Sequence, residues 1–130
     1  MVNIAVVGCG RWGLNYVRVF EELNASRVDW VFDRDELCLK RVVQRFPTVK
    51  AARTLSEVLN CRDDEAVVVA SAASDHYETV MKCLMAGKHV RVEKPIALSI
   101  EEAEEMISLA DSKKKTLMVG HTFLFNSGIR

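Results

Sequence analysis

Val2-Asn3-Ile4-Ala5-Val6-Val7-Gly8-Cys9-Gly10-Arg11-Trp12-Gly13 is the stretch whose reading decides the fold. Its first half is a near-continuous apolar run, the pattern of a parallel strand covered on both faces. Its second half is a G-x-G-x-x-G lying between that strand and a helical pattern. Gly8 allows the tight turn, Gly10 lets the backbone come close to a pyrophosphate, and Gly13 allows close packing of helix on strand. The helix start, with Arg11 and Trp12 in its first turn, offers unpaired N–H groups to an anion. A glycine-rich turn with no ligand is the alternative, because short motifs also arise by chance.

Moving outward, Asp33 ends the second strand, 20 residues beyond Gly13. A dinucleotide fingerprint places an acidic side chain there to accept hydrogen bonds from the adenosine ribose hydroxyls. A carboxylate at that point repels a 2′-phosphate, so NAD is preferred. Neighbouring Arg34 leaves NADP open by offsetting that repulsion or stacking on adenine. The competing reading of Asp33 is a turn or helix-capping residue.

Strand and helix patterns alternate along the rest of the chain. Arg11 to Asn24 puts Trp12, Tyr16, Val19, Phe20 and Leu23 on one predicted helical face, and Leu39, Val42, Val43 and Phe46 form the next. Arg27–Phe32, Val49–Ala52, Ala66–Ala70, Val90–Val92 and Thr116–Val119 read as further strands. Thr54 with Glu57, Asp75 with Glu78 and Ser99 with Glu102 mark helix starts. The helix after Asp75 is expected to bury Tyr77, Val80, Met81, Leu84 and Met85, and the one after Ser99 to bury Ile100, Ala103, Ile107 and Ala110. The α/β class follows: a Rossmann-type, doubly wound parallel sheet of about six strands over residues 1–120.

In such sheets ligands bind beyond the carboxyl ends of the strands. Glu93-Lys94-Pro95 after strand five, Ser71-Ala72-Ala73-Ser74-Asp75-His76 after strand four and His121 after strand six all reach that edge. Taken singly, an exposed lysine is a solvated cation and a lone histidine a structural residue; their shared edge makes them candidates.

The chain has 130 residues, with 18 Lys plus Arg against 18 Asp plus Glu. That balance argues against nucleic acid and against a membrane surface as partners. No signal-like or spanning run is present, which predicts a cytoplasmic protein. Cys9, Cys38, Cys61 and Cys83 form no C-x-x-C pair, so no metal site is expected and free, mostly buried thiols are.

The glycine loop, Asp33, Ser71-Ala72-Ala73-Ser74-Asp75-His76, Ala86-Gly87-Lys88-His89-Val90 and Glu93-Lys94-Pro95 together resemble the N-terminal domain of the Gfo/Idh/MocA family of NAD(P)-dependent oxidoreductases. The resemblance covers essentially the whole chain. The ending Gly120-His121-Thr122-Phe123-Leu124-Phe125-Asn126 is most similar to members acting on nucleotide-linked amino sugars or sugar acids. The resemblance implies a cofactor lying on Gly8, Gly10, Arg11, Trp12, Gly13, Asp33, Arg34, Ser71, Ala72, His76, Glu93, Lys94 and His121. It also implies a catalytic Lys94 that assists proton transfer while hydride moves between a sugar carbon and the nicotinamide. Two departures stand where the family usually has proline: Ala72, which is expected to loosen the nicotinamide-side loop, and Ser127. Family members continue into a second α/β domain with most substrate contacts, and residues 121–130 read as the start of a crossover toward it. A sugar-type substrate is therefore expected only with that domain or a partner chain. A free-standing, non-catalytic nucleotide-binding module is the competing reading, and apolar surface left uncovered by a missing domain would favour weak self-association.

Overall fold

The computed structural model describes residues 1–121 and 128. The predicted ending over 122–127, with Ser127, lies outside the described residues. Among those described, the chain runs β1 (Val2–Val7), α1 (Arg11–Glu22), β2 (Ser26–Phe32), α2 (Glu36–Arg45), β3 (Lys50–Ala51), α3 (Leu55–Asn60), β4 (Ala66–Val69), α4 (Ala73–Met85), β5 (His89–Glu93), α5 (Ile100–Lys113) and β6 (Leu117–Gly120). The strands pair in parallel in the order β3-β2-β1-β4-β5-β6. This is the predicted doubly wound sheet. Its order reverses between β1 and β4, and a crevice opens there beyond the carboxyl ends of the strands.

The strand period of two splits the core between the sheet's faces. Ala5 and Val7 of β1 join Val67, Val69, Val80, Leu84, Val92 and Met106 in one buried cluster. Ile4 and Val6 join Val17, Val28, Val31, Val42 and Val68 in the other. Helices α3, α4 and α5 therefore cover one face and α1 and α2 the other. Thr54 accepts from the Glu57 N–H at 3.3 Å and Ser99 from the Glu102 N–H at 3.2 Å, as the capping pattern predicts.

Three helices are rotated from their expected faces. In α1 the buried residues are Gly13 and Val17, with Tyr16 and Phe20 half-buried, while Trp12 is 53% exposed and Val19 and Leu23 are also exposed. Gly13 is pressed against the turn at Gly8, and that contact sets the phase. In α4 the buried residues are His76, Thr79, Val80, Cys83 and Leu84, and Met85 is exposed. This helix starts at Ala73 behind an Ala72 N-cap with no side-chain cap. Asp75 falls inside its first turn, where the helix dipole favours it. In α5 Ala110 is buried as expected, but its buried neighbour is Met106, while Ile100 and Ile107 are exposed. Both stripes have helical spacing, and flexible methionine fills the gap under the sheet.

Lys88 is 4% exposed, and its ammonium donates to the backbone carbonyls of Cys61 and, at 2.7 Å, of Asp64. The lysine thus fastens the loop before β4 to the turn before β5. Lys88→Met leaves both carbonyls short of a donor, and we expect a loss of about 2 kcal/mol in urea unfolding. An unchanged midpoint would mean that water replaces the ammonium without cost.

Candidate functional site

The three motif glycines do different work. Gly8 has φ +93°, and a Cβ there would lie 2.4 Å from the Ser71 nitrogen. A Cβ on Gly13 would lie 1.7 Å from the Gly8 carbonyl oxygen. Both are therefore required by the fold itself. Gly10 has an ordinary φ of −73°, and a Cβ there would meet nothing within 4 Å. Gly10 is also the N-cap of α1, with no side chain closing the helix end. The N–H groups of Arg11, Trp12 and Gly13 lack intrahelical acceptors and face this open space.

Asp33 sits beside that opening and is half-buried. One carboxylate oxygen accepts the Cys9 N–H at 2.7 Å and the other the Asp35 N–H at 2.8 Å. Asp33 thus holds the glycine loop and turns the chain toward α2, whose own cap is Asp35 accepting from the Leu37 N–H at 2.9 Å. Each oxygen keeps a second lone pair for a ribose hydroxyl. Arg34 is exposed and reaches across to Asp75 at 3.5 Å. Gly8, Asp33, Arg34, Ser71 and Asp75 share a cavity of about 230 Å³.

On the far side of the crevice, Ser71 Oγ is buried without a hydrogen-bond partner. Ala72 has φ −59°. Proline imposes this φ, so the departure from the family pattern leaves the loop in the proline-like conformation. His76 is buried, with both ring nitrogens turned to backbone carbonyls rather than to the opening. Lys94 is exposed at the carboxyl end of β5, and its peptide bond to Pro95 is cis. His121 is exposed just past β6, its N–H donating to the Val119 carbonyl at 2.8 Å.

Glu93 is buried and accepts a hydrogen bond from the Tyr16 hydroxyl. Arg91 Nε donates to that same hydroxyl at 3.3 Å, and its guanidinium lies 5.3 Å from the Tyr16 ring centroid. Burial, then the Glu93 carboxylate, pushes the Tyr16 pKa up and keeps the hydroxyl a donor, against a smaller opposing effect of Arg91. A Cβ on Gly120 would come within 2.5 Å of the Glu93 carboxylate oxygen and 3.1 Å of the Tyr16 hydroxyl. Tyr16 and Gly120 thus hold Glu93 from two sides. Tyr16 does not stand out in the sequence, since its partner Glu93 lies 77 residues further along the chain.

The thiols are free. Burial first, then the Asp33 carboxylate, pushes Cys9 up to about 12, and burial pushes Cys83 to about 12 as well. Cys38 and Cys61 are only half-buried. Among the described residues, no group of His, Cys, Asp and Glu could hold a metal ion, and no helix is long and apolar enough to cross a membrane.

A switch-point crevice with a capless glycine helix start, an acidic strand end and a buried orphan hydroxyl defines a dinucleotide-binding Rossmann domain. The model of the oxidoreductase family with an NAD-binding Rossmann fold, Gfo/Idh/MocA, matches residues 2–121. The chain belongs to that family, and its cofactor is NAD(P). It is 32% identical over 92% of its length to a scyllo-inositol 2-dehydrogenase (NADP(+)) of Bacillus subtilis, covering 33% of that protein. It is 30% identical over 99% of its length to a 2,7-anhydro-N-acetylneuraminate hydratase of Mediterraneibacter gnavus, covering 34% of it. The structure of GenD2 from gentamicin A biosynthesis in complex with NAD superposes with a TM-score of 0.92 and 31% identity, over 95% of this chain and 35% of GenD2. The chain therefore spans about a third of the length of these relatives.

Proposed function

We propose that this chain is the cofactor-holding part of an oxidoreductase that moves hydride between a nicotinamide and a sugar-type alcohol or ketone, with NAD preferred over NADP. The observation that carries the reading is the open space at Gly10 beside the Asp33 carboxylate, a cradle that a side chain would fill. The N–H groups of Arg11, Trp12 and Gly13 hold the pyrophosphate. Asp33 takes the adenosine ribose and Arg34 borders the adenine. Ser71, Ala72 and Glu93 line the nicotinamide side, where Ser71 Oγ gains the partner it lacks. The bound cofactor supplies the hydride donor or acceptor.

Lys94 Nζ gives or takes the proton of the substrate hydroxyl. A lysine doing this near neutral pH depends on burial and neighbours. Lys94 is exposed, and the relatives are about three times longer, so we assign the wall that covers it to a further part of the protein. On this reading the chain alone binds cofactor but does not complete the chemistry. The sugar-type substrate is supported by relatives named for an inositol and an anhydro-neuraminate, both polyhydroxylated rings.

Calorimetric titration with NADH and NADPH tests the cofactor preference. We expect wild type to bind NADH more tightly, and Asp33→Ala to weaken NADH about tenfold and erase the preference, since it removes charge-assisted acceptors. Wild type that binds neither nucleotide, or favours NADPH, would contradict the proposal.

A further inference from the structure

We propose that His76 is a positioning residue that sets Lys94 relative to the cofactor by tying together the two loops on either side of the nicotinamide position. The inference rests on the reading of the crevice as an NAD(H) site. His76 is 1% exposed in the second half of the first turn of α4. Its Nδ1 lies 2.7 Å from the Pro95 carbonyl oxygen, and its Nε2 lies 2.9 Å from the Ser71 carbonyl oxygen. One carbonyl belongs to the loop after β4 and the other to the loop that carries Lys94.

The parallel pairing of β4 with β5 extends to Val69 and Val92. Beyond it, among the described residues, no backbone hydrogen bond joins the loop after β4 to residues 94–98. The imidazole spans that gap. Both partners are acceptors, so a ring nitrogen that carries a hydrogen donates to the carbonyl it faces. Set between them at these two distances, the ring fixes the separation of the Ser71 and Pro95 carbonyls. Lys94 precedes Pro95 directly, so this distance decides where the lysine stem leaves the sheet edge.

The placement explains why a polar residue occupies the buried face of α4. It also separates His76 from the groups that touch ligand. Removing the ring is expected to free the lysine-bearing loop without disturbing the adenosine half, which rests on Gly10 and Asp33 on the opposite side of the switch point.

The test compares wild type, His76→Ala and His76→Gln by NMR relaxation on the free chain and by titration with NADH and with ADP-ribose, which lacks the nicotinamide. In His76→Ala the backbone order parameters of Ala72 and Lys94 fall from about 0.85 toward about 0.6, while those of β1 hold. NADH affinity drops about tenfold and ADP-ribose affinity changes less than twofold. His76→Gln recovers most of both, because its amide nitrogen carries two hydrogens. Equal weakening of NADH and ADP-ribose, or loss of order throughout the sheet, overturns the proposal by reducing His76 to a fold residue. Wild type that binds neither nucleotide overturns the cofactor reading instead, and the order parameters of the free chain then decide for or against His76.

Discussion

Gly13→Ala is expected to lower Tm by about 10 °C or more, whereas Gly10→Asn keeps the melting temperature and loses NADH. The two substitutions fall three residues apart in one motif, and the geometry separates them completely. At Gly13 the added methyl would sit 1.7 Å from the Gly8 carbonyl oxygen, a backbone atom that cannot swing aside. Relief requires α1 to move off β1, opening the contact that buries Val17 and Val6. Overpacking of this kind costs about 3 kcal/mol or more, a large share of a small domain's stability. At Gly10 the backbone has an ordinary φ and the Cβ position is empty. Asparagine is a good N-cap, so its side chain accepts from the first-turn N–H groups and the helix does not suffer. Those same N–H groups are then no longer offered to a pyrophosphate. Losing two charge-assisted hydrogen bonds weakens NADH about a hundredfold. Thermal melts and calorimetry on the two variants read both effects. A Gly13→Ala chain that melts like wild type, or a Gly10→Asn chain that binds NADH normally, would break the division of labour.

That division shows which parts of the molecule were legible in the sequence. Turn chemistry is local: Gly8, Gly10, Gly13, the caps at Thr54 and Ser99, and the strand end at Asp33 could each be read from a few neighbours. The alternation of strands and helices then fixed the sheet. Helix phase was less accessible, because α1 and α4 each offered apolar residues on adjoining faces. The deciding contacts were Gly13 against the Gly8 carbonyl and His76 between two carbonyls, and apolar spacing counts neither a glycine nor a histidine as core. Asp33 takes the turn role with both carboxylate oxygens, which accept from the Cys9 and Asp35 N–H groups, and the ribose role proposed for it draws on the lone pairs that remain. Least legible were pairs that meet only in the folded chain. Tyr16 with Glu93 and Asp64 with Asp29 carry no local pattern.

The second of these pairs predicts that Asp64→Asn stabilises the chain at pH 8 and not at pH 4. Asp64 is 1% exposed at the entry to β4, and neither carboxylate oxygen has a hydrogen-bond partner. It faces Asp29, which lies where the β1–β2 register slips by one residue and is paired with Arg27 at 2.6 Å. Lys88 is close, but its ammonium is spent on the Cys61 and Asp64 carbonyls. Burial first, then the Asp29 carboxylate, pushes the Asp64 pKa from 3.8 up to about 6, against smaller opposing effects of Lys88 and Cys61. The folded chain then holds a proton that the unfolded chain has released. The pair's contribution is full below about pH 4 and lost as pH rises through about 6. At about 1.4 kcal/mol per pH unit, that window is worth about 3 kcal/mol. Asparagine has the shape of the protonated carboxyl and stays neutral at every pH. We therefore expect a gain of about 2 kcal/mol at pH 8, about 6 °C in Tm, shrinking to nothing near pH 4. Other carboxylates also titrate across this range, so the readout is the difference between the two proteins at each pH. A difference that stays flat from pH 4 to 8 would mean that Asp64 ionises in the folded chain as readily as in the unfolded one, and that water or Lys88 reaches its buried oxygens.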